Sequence, residues 1–464
     1  MPILLSIESI PRELDYKLIL AINLVNKNTE VVVSQHNFLN KVASRLPKSI
    51  YVGKNFYRYN YDQSQWVNEA EKLRKYGHRL IHIDEESAFY WGKEDEWDRR
   101  LELRMDVDDI KQEDVLCVWG DYQKNYYSKK TMSESIHVTG NPRFSFKKKI
   151  YQNIFRDEIA AIKSNYGKFI LINTSYALSN NAAGNKNTFS RKYYLSNKKE
   201  GLKRFSEWWL HSSKMCSEFV YLVINLSLDL PEEFRIVLRP HPSESIDLYK
   251  EAFSGLNNVF IDSRWSVTPW LLASDFLISE GCTTCFEAAL LNRKVLLYTP
   301  FDAGEMEMFL PSLSGKKVRN SREILDIINS DQKFDYLEIA RKNNRAIKML
   351  CNIKGIDSFQ KLLEIIRKEY SQILKDQSSG KLKKVLIFAK IISIITKPYE
   401  FVKNSIRHFF PDKQREYMGF KKIFPGFSQD EIRKKVISYS KNIDKNIKVN
   451  FVNDKMFILS SEDD

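Results

Sequence analysis

The sequence has no long apolar run and few cysteines, and each absence excludes a class of protein. No stretch of about 18 uncharged apolar residues occurs, so we expect no transmembrane helix. Its five cysteines are scattered and odd in number, which favours a reducing compartment over a disulfide scaffold. The start, MPILLSIESIPRELD, has no basic region before its short apolar run, so it predicts no signal peptide. We therefore expect a cytoplasmic protein.

The motifs of common nucleotide hydrolases, dehydrogenases and metalloenzymes are also absent. Neither GxGxxG nor GxxxxGK[ST] occurs, which argues against ordinary dinucleotide binding and P-loop hydrolysis. The seven histidines show no HExxH motif or other paired ligand spacing. Cys282 and Cys285 have CxxC spacing but no second ligand pair and no thioredoxin-like context, so we interpret both as small helix residues. We expect chemistry that needs neither a metal ion nor a cofactor.

Positive charge dominates what is present. The 73 lysines and arginines outnumber the 59 acidic residues, which gives a formal net charge of +14. This excess indicates an anionic partner: nucleic acid, anionic lipid or a phosphorylated substrate. The basic residues are dispersed through the first part of the chain and concentrated at 381–408, without an RNA-binding signature. We therefore expect no nucleic-acid partner.

Short β-branched runs alternate with segments of helical length along most of the chain. This alternation is typical of βαβ units and of parallel sheets. We predict an α/β fold with two Rossmann-like domains facing a central cleft, which resembles the GT-B arrangement of glycosyltransferases. The runs lie at 3–9, 30–35, 49–53, 79–84, 114–120 and 135–140, and then at 168–175, 235–242, 258–263, 275–281 and 294–300.

The same pattern divides the chain into five parts. Between 381 and 408, six lysines and one arginine oppose a single glutamate and alternate with apolar residues. A helix of this kind can lie in the headgroup region of an anionic leaflet, or it can pack on the core with a solvated basic face. We predict that 381–410 binds an anionic membrane surface, so that the protein is peripheral at the inner face of the plasma membrane. The parts are a first domain (1–146), a linker (147–167), a second domain (168–330), a helical return segment (331–380) and a basic amphipathic extension (381–464).

A histidine held between two prolines follows the predicted strand in RIVLRPHPSES, 235–245. Each proline fixes its own φ and pushes the preceding residue towards extended geometry, so Arg239 and His241 should be stiffly aimed. Stiff polar side chains at a strand end are typical of a ligand contact. We therefore predict that Arg239, His241 and Pro242 contact a ligand. The alternative is a rigid turn with an incidental histidine.

Two more strand ends of the second domain carry polar residues. In SDFLISEGCTTCFEAALLNRKVLLYTP (274–300), a strand and a turn lead into a helix start, where free N–H groups and the helix dipole favour an anion. Because the strand ends of a doubly wound domain open at one edge, we predict a phosphate site there. Helix capping alone is the alternative, and Glu287 either reaches a ribose hydroxyl or faces solvent. The site residues are Asn173, Thr174, Ser175, Ser279, Glu280, Gly281, Thr283 and Thr284.

In the first domain, three adjacent carboxylates, Asp84, Glu85 and Glu86, end the run over 79–84. Next to a phosphate-rich donor these groups repel one another, so one of them is expected to have a raised pKa and to act as a general base. We assign this role to Asp84 or Glu85; the alternative is an acid-decorated helix N-terminus. Residues near other strand ends are expected to face the cleft and contact the acceptor: Arg12, Glu13, Glu86 and Arg143.

Taken together, these motifs resemble a known class of bacterial enzymes. The histidine–proline pair and the later serine/threonine junction are similar to the HP and S motifs of GT-B enzymes that use CMP-activated sugars, including sialyltransferases and Kdo transferases. PRELD, DEES, TGNPR and FPGF also look like stretches of surface carbohydrate biosynthesis proteins. The resemblance implies that His241 and the hydroxyls of Ser279, Thr283 or Thr284 contact the donor phosphate. The glycine of the sialyltransferases' acidic motif is replaced here, since Glu86 and Ser87 follow.

The resemblance implies an enzyme that moves a sugar from a CMP-activated donor to a glycan or lipid-linked glycan acceptor. The sugar would be a nonulosonic acid or Kdo, and no cofactor is implied. One alternative is a teichoic-acid-type polymerase that transfers glycerol or ribitol phosphate from a CDP-alcohol. The other is a non-catalytic protein that binds an anionic surface.

Overall fold

Two sheets of mainly parallel strands organise the chain. The computed structural model describes residues 2–60, 65–66, 69–189, 199–330, 335–353, 355–374, 421 and 423–462. The predicted basic segment, 381–410, lies outside the described residues. None of the described helices is both long enough and apolar enough to cross a membrane.

The first sheet contains six parallel strands in the order β2-β1-β3-β6-β7-β8. Its strands come from the β-branched runs of the sequence, and β1 and β2 are buried along their whole length. The elements are β1 (Ile3–Ile7), α1 (Ile10–Leu24), β2 (Val31–Gln35), α2 (His36–Val42), β3 (Ile50–Gly53), the short pair β4 (Tyr59–Asn60) and β5 (Gln65–Trp66), α3 (Glu69–Lys75), β6 (Arg79–Ile83), α4 (Trp97–Glu102), β7 (Val115–Val118), α5 (Asp121–Lys130) and β8 (Ser135–Val138).

The second sheet is entirely parallel, with the order β11-β10-β9-β12-β13-β14. Two helices lead into it, α6 (Lys149–Gln152) and α7 (Arg156–Tyr166). The elements that follow are β9 (Lys168–Asn173), α8 (Asn185–Phe189), α9 (Lys199–Asp229), β10 (Phe234–Arg239), α10 (Asp247–Ala252), β11 (Val259–Ile261), α11 (Val267–Ala273), β12 (Phe276–Ser279), α12 (Thr283–Leu290), β13 (Lys294–Tyr298), β14 (Lys316–Val318) and α13 (Ser321–Ile328).

The last part of the chain returns to the first domain. In β16, Phe457 pairs antiparallel with Val33 of β2, and β15 pairs with β16, so the hairpin extends the first sheet. The sequence analysis assigned 381–464 to a basic amphipathic extension, and within this range 429–461 packs on the first domain. The elements are α14 (Tyr336–Lys342), α15 (Asn344–Met349), α16 (Ser358–Leu374), α17 (Gln429–Ser440), β15 (Ile447–Asn453) and β16 (Met456–Ser461).

Strand order determines where each domain can bind a ligand. In the second sheet the chain runs from β9 to β10 and β11 on one side, and then crosses to β12 on the other side of β9. This reversal opens a crevice beyond the carboxyl ends of β9 and β12. The strand order of the first sheet reverses in the same way, because β2 lies on one side of β1 and β3 lies on the other. Two Rossmann-like domains that face a shared cleft form the GT-B arrangement, so the predicted fold class is confirmed.

A buried ion cluster joins α17 to α1 and α7. The Lys435 ammonium lies 2.9 Å from Asp15 Oδ1 and also pairs with Glu158, and all three side chains are buried. Burial opposes the charge of Lys435, but the two carboxylates outweigh this effect and raise its pKa above the ordinary value. The cluster therefore connects the C-terminal helix to the first domain and to the linker helix.

We expect Lys435→Met to lower the free energy of unfolding by about 3 kcal/mol, because two buried carboxylates lose their cation. Urea denaturation followed by circular dichroism measures the change. Lys434→Met is the matched control, since Lys434 is exposed on the same helix. Equal stability losses in the two variants would contradict a structural role of the cluster.

Candidate functional site

A cavity of about 970 Å³ lies between the two domains, and residues of both domains line it. Among the described residues its charged lining is unbalanced, because five arginines face a single glutamate. Most of the remaining wall is apolar or aromatic. The charged lining residues are Arg12, Glu86, Arg100, Arg104, Arg143 and Arg239.

Many residues that the sequence predicted for donor or acceptor binding line this one cavity. They follow β1, β6 and β8 in the first domain, and β9, β10 and β12 in the second. The strand ends therefore converge as the sheet topology requires. The predicted residues in the lining are Arg12, Glu86, Arg143, Asn173, Thr174, Ser175, Arg239, His241, Pro242, Thr283 and Thr284.

Glu244, which the sequence analysis did not single out, fixes the strand ends of β9 and β10 relative to each other. It is fully buried and accepts hydrogen bonds from the Thr174 hydroxyl (3.0 Å), the Tyr249 hydroxyl (2.6 Å) and the His241 backbone N–H (3.0 Å). Burial raises its pKa, although these hydrogen bonds oppose the shift. The only signal in the sequence was a carboxylate shortly after the prolines.

The same loop orients the His241 imidazole. Its Nδ1 atom lies 3.2 Å from the Ser243 backbone nitrogen, whose N–H donates to it. Burial lowers the pKa of His241 to about 4, and the positive charges of Arg12 and Arg239 add to this shift. A neutral ring with Nδ1 as acceptor carries its proton on Nε2. His241 is thus a hydrogen-bond donor at the cavity wall at neutral pH.

The start of α12 supplies the next part of the wall. Gly281 has φ +138°, a conformation that side chains strongly disfavour, and this turn leads to Cys282 at the N-cap. Thr283 and Thr284 then line the cavity together with Cys282. A hydrogen bond from Cys285 lowers the pKa of Cys282 to about 6, although burial opposes the shift. This helix N-terminus favours a negative ligand group.

Three predicted donor contacts at this junction do not line the cavity. Ser279 is buried, and its Oγ lies 3.7 Å from Cys282 Sγ. Glu280 points to α9, where its carboxylate lies 2.6 Å from His211 Nε2. Gly281 only shapes the turn. The expected contact of these three residues with a ligand in the cavity is therefore corrected. They lie at the end of β12, whereas the residues that line the cavity at this junction belong to the start of α12.

Glu287 lies on α12 behind the lining. It is buried, and its Oε1 is 3.3 Å from an Arg143 nitrogen. Neither of its oxygens has a hydrogen-bond partner within the part of the chain that the structure describes. Burial raises its pKa, although Arg143, Arg12 and Arg239 oppose the shift. The solvent-facing alternative for Glu287 is therefore wrong.

Asp84 does not face the cavity, which corrects the expected position of this candidate base. The side chain is buried and accepts hydrogen bonds from Gln123 Nε2 (2.6 Å) and from the Ser87 hydroxyl. Burial opposes its ionisation, but Arg104, the Ser87 hydroxyl and the Glu86 backbone N–H lower its pKa. The raised pKa that charge repulsion predicted is therefore wrong for Asp84.

Glu85 and Glu13 are likewise buried below the cavity, in one ion cluster of the first domain. Lys54 lies 2.8 Å from Glu13 and 3.6 Å from Glu85, and Lys17 lies 2.7 Å from Glu13 and 3.5 Å from Glu85. The Tyr16 hydroxyl also donates to Glu85. Because both carboxylates are occupied by buried lysines, the predicted general-base role of Glu85 and the predicted acceptor contact of Glu13 are corrected.

Glu86 is the one member of the acidic run that lines the cavity. It pairs with Arg12 and lies 3.6 Å from Arg104. Burial opposes its ionisation, but Arg12 and Arg104 outweigh burial and lower its pKa well below the ordinary value. Glu86 is therefore an ionised acceptor of hydrogen bonds at the first-domain wall.

Sequence reasoning missed the apolar and aromatic part of the lining and two of its arginines. Aromatic side chains more often form the core, and these come from segments far apart in the sequence. Trp91 and Met308 form an isolated β-bridge across the cleft, so the two domains meet beside these residues. The missed residues are Pro11, Ala88, Phe89, Trp91, Arg100, Leu103, Arg104, Trp208, Val267, Cys282 and Met308.

Within the described residues, no group of three or more histidine, cysteine or acidic side chains is placed to hold a metal ion. No protein-family model matches the sequence, and no curated protein matches it. Solved structures with a similar arrangement of domains do exist.

Three of these solved structures show how similar such proteins are to this chain. The wall teichoic acid polymerase TagF is 13% identical, with 81% of this chain and 90% of that chain covered and a TM-score of 0.42. The S. aureus MnaA–UDP structure is 12% identical, with 82% and 99% covered and a TM-score of 0.41. The UDP-GlcNAc 2-epimerase from Neisseria meningitidis is 14% identical, with 79% and 100% covered and a TM-score of 0.43. Similarity at this level assigns no activity to this chain.

We expect His241 to titrate near pH 4 in the folded protein, because burial and the neighbouring arginines oppose its charged form. The unfolded pKa is about 6.5. The folded state therefore binds fewer protons in the window between the two values, and His241 reduces stability as pH falls from about 6.5 to 4. NMR of ¹⁵N-histidine, assigned with His241→Asn, measures the pKa and the Nε2–H tautomer. A midpoint near 6.5 would contradict the buried environment.

Proposed function

We propose that the protein is a glycosyltransferase that moves a sugar from a CMP-activated donor to a bacterial surface glycan. The observation that carries the proposal is that His241 and the start of α12 line the same cavity. Both features favour a negative group, one through an N–H donor and the other through the helix N-terminus. Asn173 Oδ1 adds a buried acceptor that lacks a partner among the described residues and suits a ligand hydroxyl.

In the proposed reaction, the bond between the sugar and the phosphate breaks, and the CMP phosphate departs with the electron pair. The His241 Nε2–H and the α12 N-terminus stabilise the charge that develops on this phosphate. Arg239, a lining cation whose Nε has no partner among the described residues, adds to this stabilisation. Preorganised donors of this kind act without reorganising at the moment of reaction.

The proton of the acceptor hydroxyl needs a base on the other wall. We assign this role to Glu86, since it lines the cavity and Asp84 and Glu85 do not. Paired with Arg12 and Arg104, its carboxylate is a weak base. An anionic donor beside Arg12 competes for that guanidinium, and each cation withdrawn from Glu86 raises its pKa.

A CDP-alcohol phosphotransferase is the second candidate, because the cavity carries more positive charge than one phosphate needs. Arg12, Arg143 and Arg239 all line it. A ligand with two negative charges suits this group of arginines. The two charges are present as phosphate plus carboxylate in a CMP-nonulosonic acid or CMP-Kdo, and as diphosphate in a CDP-alcohol. The membrane-binding role of 381–410 stays a prediction from the sequence.

We expect CMP to raise the melting temperature and UDP and GDP to leave it unchanged, because only a ligand of the native state stabilises it. A comparable shift with CDP would favour the CDP-alcohol reaction, which cleavage assays with both donor types then test. CMP should also slow iodoacetamide alkylation of Cys282, whose lowered pKa makes it reactive at neutral pH. A shift with UDP or GDP alone would overturn the cytidine assignment.

We expect His241→Ala to reduce turnover of the CMP-sugar by about 100-fold or more while CMP still binds, since loss of one preorganised donor costs this much. Single-turnover kinetics measures the chemical step. His137→Ala is the control, because His137 lies on β8 and does not line the cavity. Near-normal turnover in His241→Ala would remove the imidazole from the mechanism.

A further inference from the structure

One part of the cavity wall is formed by two tryptophans and an arginine, which we name the tryptophan–arginine site: Trp91, Arg100 and Trp208. The Arg100 guanidinium carbon lies 4.7 Å from the Trp91 ring centroid and 5.6 Å from that of Trp208. The two ring centroids are 5.9 Å apart, and the ring planes cross at 78°. The arginine is thus held by both rings before any ligand binds.

Arg100 has an unsatisfied donor in this position. Only 10% of its side chain is exposed, and its buried Nη2 atom has no hydrogen-bond partner among the described residues. The carboxylate of Glu96 is 3.7 Å away, beyond hydrogen-bond distance, and pairs with Arg204 at 2.9 Å. Buried polar groups are normally satisfied. A guanidinium that its own protein leaves incomplete is suited to an anionic ligand group.

The site lies away from the strand ends assigned to the donor. A side chamber of about 180 Å³ shares Arg100, Leu103 and Trp208 with the main cavity and is otherwise lined by α9 and the region of α4. None of the strand-end residues of the second domain lines this chamber. The tryptophan–arginine site therefore continues the cavity in a different direction from the phosphate-binding wall.

We propose that the tryptophan–arginine site binds the acceptor glycan and selects one that carries an anionic group, a carboxylate or a phosphate. The proposal rests on the proposed function. Tryptophan rings offer apolar faces to the C–H groups of a sugar ring, while the guanidinium fork matches a carboxylate or phosphate with two parallel hydrogen bonds. Trp91 belongs to the first domain and Trp208 to α9 of the second, so the acceptor contacts both domains.

The test uses three small probes: methyl β-D-glucuronide, glycerol 1-phosphate and the neutral methyl β-D-glucoside. Protein labelled with 5-fluorotryptophan is titrated with each probe and followed by ¹⁹F NMR, and Trp91→Phe and Trp208→Phe assign the two signals. We expect at least one anionic probe to shift both signals and the glucoside to shift neither. A response to glucuronide alone indicates a carboxylate, and a response to glycerol phosphate alone indicates a phosphate.

Arg100→Gln provides the decisive comparison. We expect it to weaken binding of the effective probe at least tenfold, and Arg322→Gln, on an exposed arginine of α13, to have no effect. An unchanged CMP-induced rise in melting temperature shows that Arg100→Gln is folded and keeps the donor site. Silent tryptophan signals, an equal response to the glucoside or full affinity in Arg100→Gln would overturn the proposal. A wild-type protein that binds no nucleotide would instead refute the proposed function, whatever the probes do.

Discussion

A single buried carboxylate holds the second-domain half of the site together. Glu244 accepts hydrogen bonds from the end of β9, through Thr174, and from the loop after β10, through the His241 backbone. The prolines around His241 then leave the loop few alternative conformations. The imidazole is consequently fixed with Nδ1 turned to the loop and Nε2 available to a ligand. The role proposed for His241 at the departing phosphate depends on this geometry.

Electrostatics explains why the carboxylates near the cavity differ so much. In the first domain, Glu13 and Glu85 are held by Lys17 and Lys54 below the lining, so their charge is neutralised inside the protein. Of the acidic residues that the structure describes near the cavity, Glu86 is the one that lines it. The arginines there exceed the acids, and His241 stays neutral chiefly because it is buried and also because Arg12 and Arg239 are close. A site that opposes a protonated imidazole is prepared for a ligand that brings its own negative charge.

The sequence predicted the fold and the second-domain wall because both depend on local patterns. Buried parallel strands appear as β-branched runs, and residues directly after them must share one edge. Burial of Asp84 and Glu85 was not predictable, since it depends on Gln123 and Lys54 from other segments. Trp91 and Trp208 meet only through the tertiary fold, and the pairing of Phe457 with Val33 is equally non-local.

Two of the contacts that join the domains lie beside the cavity, which has a consequence for the proposed transfer. Phe309 donates its backbone N–H to the Tyr90 carbonyl at 2.8 Å, and Arg143 approaches Glu287 at 3.3 Å. Any change of the angle between the domains therefore alters the distance from Glu86 in the first domain to His241 and the start of α12 in the second domain. The proposed transfer requires groups of both domains at once, and in that reaction an open cleft would admit water to the donor. In the proposed reaction, contacts at this place would therefore hold the donor and the acceptor at the distance that transfer requires.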